Sequence, residues 1–276
     1  MKLKLLTVVG LLVAQAIPLS AASVAGNFIN GSFVANTGID NATENTNTLN
    51  AILGVTTPTW NNIAITGTGG VIPGTVALSY GGATTIGLTY HTSNPFAAGS
   101  ENAIGGDASQ QVFRQYLDDG GGGASSYSTS DGYGVTLQLS GLLAFVANNP
   151  GATGYTISLL YSTDNTVTAF KIGEVRSGAL TGANNVTDLT LLQTLGTPTV
   201  FGNGGDAPFT GTNLGGGTRG YVTSTALTAD AITVAIQTAG TGRGAIAGFV
   251  VNAVPEPASL SLLGLGLALA FTRRSR

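Results

Sequence analysis

The sequence contains no cysteine, one histidine and one tryptophan, and only 8% of it is Asp, Glu, Lys or Arg. Without cysteine there is no disulfide framework, no thiol nucleophile and no thiolate metal site. The fold must rest on its core and its sheet hydrogen bonds, which the chain is long enough to supply. The lone histidine, His91, sits in Tyr90-His91-Thr92 with no carboxylate or nucleophile beside it, and reads as a strand-end residue. No Gly-x-Ser-x-Gly elbow, HExxH pair or P-loop is present. Gly242-Arg243-Gly244-Ala245-Ile246-Ala247 spells a dinucleotide fingerprint, but no helical pattern or acidic residue follows it. No apolar run reaches the roughly 18 residues of a comfortable membrane span. Between residues 23 and 254, five basic residues (Arg114, Lys171, Arg176, Arg219, Arg243) stand against twelve acidic ones, a net charge of −7. A nucleic-acid partner needs a basic patch and is excluded on that ground.

The two ends do not read like the middle. Lys2 and Lys4 precede an apolar run from Leu5 to Ile17, and Ser20-Ala21-Ala22-Ser23-Val24-Ala25 follows. A cationic start, an apolar stretch and small residues form the order of a secretory signal helix, here residues 1–25. The tight pocket of signal peptidase accepts a cut after Ala22 or after Ala25. At the other end, residues 254–276 begin Val254-Pro255-Glu256-Pro257, continue as an apolar run from Leu260 to Phe271, and finish Thr272-Arg273-Arg274-Ser275-Arg276. The prolines lack N–H donors, so this box cannot join a regular helix or central strand and stands out as an extended element. The apolar run forms a helix of about 14 residues counted from Ala258, near 21 Å long. That is short against a hydrocarbon core of roughly 30 Å. The arginines hold its end on the cytoplasmic side.

Pro255-Glu256-Pro257, a hydrophobic helix and a basic end with Arg273 and Arg274 together resemble the PEP-CTERM sorting signal of Gram-negative and related bacteria. The resemblance implies recognition by an exosortase, a membrane cysteine transpeptidase, with processing near the Pro-Glu-Pro box. It implies export to the cell envelope, the surface or the extracellular matrix, with the C-terminal helix in the membrane before processing. The competing reading is a plain C-terminal anchor.

The intervening part, residues 26–253, reads as one all-β domain. Val135, Leu137 and Leu139 alternate with polar residues, as do Tyr155, Ile157 and Leu159, and Ile232, Val234 and Ile236. Period-two patterning puts apolar side chains on one face of a strand. Further strands are expected at 28–34, 63–66, 75–80, 85–90, 167–172, 188–193 and 221–227. Short strands broken by Gly and Asn predict a two-sheet sandwich. One short helix is expected over 107–117, with Asp107 as cap and Phe113 and Leu117 on one face.

The segments Gly54 to Asn62, Gln115 to Asp119, Val135 to Leu142, Tyr155 to Tyr161 and Arg243 to Val251 resemble, in that order, surface proteins of planctomycete or verrucomicrobial type that carry the same sorting tail. The resemblance implies a jelly-roll sandwich of galactose-binding or lectin-like kind and brings no catalytic residues. Trp60, between Pro58 and Asn61-Asn62, reads as packing at the start of the sandwich, or as a stacking face for a sugar. Asp118, Asp119, Asp131, Asp164 and Asp206 fall among Gly, Ser and Asn, where solvated turns are expected. If calcium binds, Asp118 and Asp119 are its ligands. The expectation is a non-enzymatic surface or matrix protein that associates with exopolysaccharide. A sugar-binding module and a polysaccharide hydrolase are the alternatives.

Overall fold

The computed structural model describes residues 22–29, 38–41, 43–65, 70–71, 75–80, 86–92, 94–97, 108–118, 133–162, 170–181, 185–201, 218–237 and 245–255. Among them the strands are β1 (Ser23–Ile29), β2 (Thr59–Ala64), β3 (Gly70–Val71), β4 (Val76–Leu78), β5 (Ile86–Thr92), β6 (Asn94–Ala97), β7 (Gln115–Asp118), β8 (Tyr133–Ser140), β9 (Ala152–Ser162), β10 (Gly173–Ser177), β11 (Thr190–Thr194), β12 (Thr199–Phe201), β13 (Arg219–Thr223), β14 (Ile232–Gln237) and β15 (Ile246–Pro255). Two short α-helices join them, α1 (Asn47–Leu53) and α2 (Leu142–Ala147). One sheet runs β12-β13-β9-β15-β1-β2, with β7 on β15 and β6 on β7. The other runs β11-β10-β14-β8-β5-β3, with β4 on β5.

The sheets share one core. Tyr155, Ile157, Leu159 and Tyr161 of β9 meet Val135, Leu137 and Leu139 of β8 and Val234 and Ile236 of β14 there. Phe28 of one sheet stands edge-on to Tyr90 of the other at 5.0 Å. The chain is thus an all-β sandwich, as the alternation predicts. The far face of the first sheet is covered as well. Ala25, Trp60, Leu160 and Val250 pack there against Leu49 of α1, Val112, Phe113 and Tyr116. Strands buried on both faces lose the apolar–polar alternation, which is why β15 reads Ile-Ala-Gly-Phe-Val-Val.

Among the described residues every strand pair is antiparallel except β1 with β2, where Val24 to Ile29 lie beside Thr59 to Ala64. A parallel pair needs a crossover, and α1 lies within it. β1 is therefore an interior strand, held by β2 on one side and by β15 on the other.

Two expectations change. The segment 107–117 is not an α-helix. It forms a 3₁₀ turn at Gln111–Phe113 and then β7, while Asp107 lies outside the described residues. Every residue from 108 to 118 is buried, so no face is left for the solvated side of an amphipathic helix. Tyr116 packs outside the sheet and Leu117 inside it, a period of two. Of the strand expected at 167–172, residues 167–169 lie outside the described residues; Phe170 is in the core, residues 171–172 are not strand, and β10 begins at Gly173. β1 begins at Ser23 and β15 ends at Pro255.

Gly26 lies opposite Phe249, whose ring fills the place of a side chain: an added Cβ would sit 2.4 Å from Phe249 Cε1 and 2.7 Å from Ile63 Cδ1. Replacing Gly26 by Ala is expected to destabilise the domain by about 1–3 kcal/mol, the usual cost of overpacking. Gly196→Ala, with nothing within 4 Å, is expected to stay within about 0.5 kcal/mol. Denaturant midpoints of the two variants check this, and equal losses would refute it.

Candidate functional site

The sorting segment leaves the domain at the end of β15. Pro255 is the last described residue, exposed, and pairs with Ala152 across an irregularity at Val254. A proline cannot donate to the ladder, so regular pairing ends there. Glu256, Pro257, Arg273 and Arg274 lie outside the described residues. So do residues 1–21.

The start of the domain lies beside that end. In the antiparallel pair, Ser23 is opposite Asn252 and its Oγ donates to Asn252 Oδ1 at 2.6 Å. The Ala253 N–H donates to the Ala22 carbonyl at 3.1 Å. The Ala22 N–H donates to Asn149 Oδ1 at 3.0 Å, and Asn149 Nδ2 donates to the Phe145 carbonyl at 2.7 Å, tying the pair to the end of α2. Of the two expected signal-cleavage positions, Ala22 is half-buried before β1, whereas Ala25 is fully buried within it. Asn149 and Asn252 carry this junction, and nothing in their sequence neighbourhood marks them, because their partners are more than a hundred residues away.

Trp60 is placed inside, 5% exposed, in the outer core. Its indole N–H donates to Thr46 Oγ1 at 2.9 Å. Its backbone is held by Asn41, which donates to the Trp60 carbonyl and accepts from the Trp60 N–H. The neighbouring amides are occupied too. Asn62 exchanges two hydrogen bonds with the Ile39 backbone, and Asn61 bridges Ala25 and Ser79. No face of the indole is offered to a sugar.

Asp118 is buried at the end of β7, and its carbonyl accepts from Thr92 Oγ1 at 2.7 Å. It is not in an open turn. Asp119, Asp131, Asp164, Asp206 and Arg243 lie outside the described residues. Among the described residues no three of His, Cys, Asp and Glu form a group able to hold a metal. Glu174 is engaged by Arg176, whose Nε and Nη2 donate to Oε2 at 2.9 and 2.7 Å, and by Gln237 at 2.9 Å. Composition does not reveal three buried basic residues, Arg114, Lys171 and Arg219. Burial pulls both guanidinium pKa values down, that of Arg219 to about 10.

His91, 1% exposed on β5, has its pKa pushed down to about 4 by burial. The folded state therefore holds the neutral ring while the unfolded chain takes up a proton below about 6.5. Stability from this group is present above pH 6.5 and is lost as pH falls towards 4. His91→Asn is expected to flatten that part of the stability profile, measured as denaturant midpoint between about pH 7 and pH 4. An unchanged slope would overturn this assignment.

Among the described residues no helix is long and apolar enough to cross a membrane, and the expected C-terminal membrane helix lies outside them. No curated protein and no solved structure matches the chain, so its likeness to planctomycete surface proteins gains no support from relatives. Residues 253–276 match the PEP-CTERM protein-sorting motif, which marks the chain for export to the cell surface and for processing by an exosortase.

Proposed function

We propose that the exported domain is a non-enzymatic building element of the surface or matrix of a Gram-negative-type bacterium, associated with exopolysaccharide. The observation that carries this reading is the direct join between the sandwich and the sorting motif, which starts within β15 at residue 253. Among the described residues, several polar groups suited to chemistry are engaged in the fold. His91 is held neutral, Glu174 is paired, and the amides around Trp60 bind backbone.

Two measurements test the reading. Pro255→Ala with Glu256→Ala is expected to leave export and folding intact, because Pro255 is exposed at the end of its strand. C-terminal trimming is expected to fall at least about tenfold, read by intact mass in a host with its exosortase. Normal trimming would exclude exosortase processing and leave a plain anchor. Trp60→Phe is expected to cost about 1–3 kcal/mol in stability through the lost indole contact, with no change in retardation by matrix polysaccharide in affinity gels. Retardation abolished at unchanged stability would favour the sugar-binding module instead.

A further inference from the structure

We infer that signal peptidase cuts the Ala22–Ser23 bond, and that this new N-terminus stays beside the sorting segment, so that both membrane-directed segments leave the sandwich from one pole. The inference rests on export through the N-terminal leader. Hydrolysis of the bond consumes one water, leaving the Ala22 carboxylate on the leader and an α-amino group on Ser23.

Small residues permit a cut after Ala22 or after Ala25; the fold separates them. A cut after Ala25 would strip Ser23, Val24 and Ala25 from an interior strand. Val24 and Ala25 are both 0% exposed and belong to different cores, Val24 between the sheets and Ala25 outside the first sheet. The ladder partners Val250, Val251 and Asn252 on one side, and Thr59 and Trp60 on the other, would lose their opposite residues. The new α-ammonium would fall on Gly26, which is buried beneath the Phe249 ring. A charge there is unpaired and desolvated. A cut after Ala22 leaves β1 whole, because the strand starts at Ser23. It removes two hydrogen bonds at the rim, Ala253 N–H to the Ala22 carbonyl and Ala22 N–H to Asn149.

The pole follows from the antiparallel register. Ser23 opposite Asn252 puts the start of β1 against the end of β15. The apolar runs are close on both sides in sequence: Ile17 precedes Ala22 by five residues, and Leu260 follows Pro255 by five. Five residues reach about 17 Å when fully extended. The sheet can therefore close while both segments are still attached to the bilayer.

The chain has no cysteine, so a Ser23→Cys, Asn252→Cys double variant of the full-length protein reports both parts. The exported wild type is first measured by intact mass and is expected to begin at Ser23. In the double variant the two thiols are expected to form one disulfide and to resist thiol labelling. They should do so equally in a host lacking the exosortase, where the sorting tail is retained. A wild type beginning at Gly26 overturns the cleavage site, and the variant then keeps a single labelled thiol because the one introduced at position 23 leaves with the leader. A wild type still beginning at Met1 overturns cleavage and the leader together. Two labelled thiols in a tail-bearing chain that begins at residue 23 overturn the shared pole. Failure of the surface role alone, with export and both junctions intact, changes none of these readings.

Discussion

The structure depends on the pairing of β1 with β15, the first and last of the described strands. Ser23 and Asn252, joined side chain to side chain, are 229 residues apart in sequence. β15 in turn carries the eleven-residue β9, and β1 carries β2. Nearly all of the first sheet is thus ordered around a contact that closes only when the last strand is present. Loop-closure entropy grows slowly with length, so the contact is sustainable at equilibrium. It is slow to form, because non-local pairing delays folding. A sheet built this way cannot complete until both ends of the domain are on the same side of the membrane. That suits a chain exported before it folds.

A cysteine-free, charge-poor chain must satisfy its buried polar atoms by other means, and asparagine supplies many of them. β2 ends the path of the first sheet, where open N–H and C=O groups invite pairing with other chains. Asn41 closes part of it, exchanging a donor and an acceptor with the backbone of Trp60 as a neighbouring strand would, and the Asn62 side chain holds the Ile39 backbone alongside in the same way. Asn61 does the same between β1 and Ser79. The asparagine side chains at these positions serve as a substitute ladder.

This accounts for what could be read in advance. β14 is legible to the residue, because Ile232, Val234 and Ile236 all face the core between the sheets. The two helices are not legible, because their caps are remote. The Leu49 N–H is capped by Ser109 Oγ and the Leu143 N–H by Asp230 Oδ1, 60 and 87 residues away. β1 is hidden for a different reason. Ser23-Val24-Ala25 are small enough to pass as a cleavage region, and only the register with β15 shows that they are strand. At the site, the sorting box is legible because proline chemistry is local. Asn149 and Asn252 are invisible because their role is set by contacts across the whole domain.

The join between strand and sorting box has its own physical logic. β15 runs for ten residues beside β9 and ends at Pro255, opposite Ala152, the first residue of β9. The ladder has no partner strand beyond this point, because the chain before Ala152 is a turn in which the Ala152 N–H donates to the Asn149 carbonyl. Pro255 removes one donor, Pro257 removes a second, and Glu256 between them resists burial through its charge. Pro255, which ends the sheet, also lies within the matched sorting motif, so the domain folds into the first three residues of its own sorting signal and stops there.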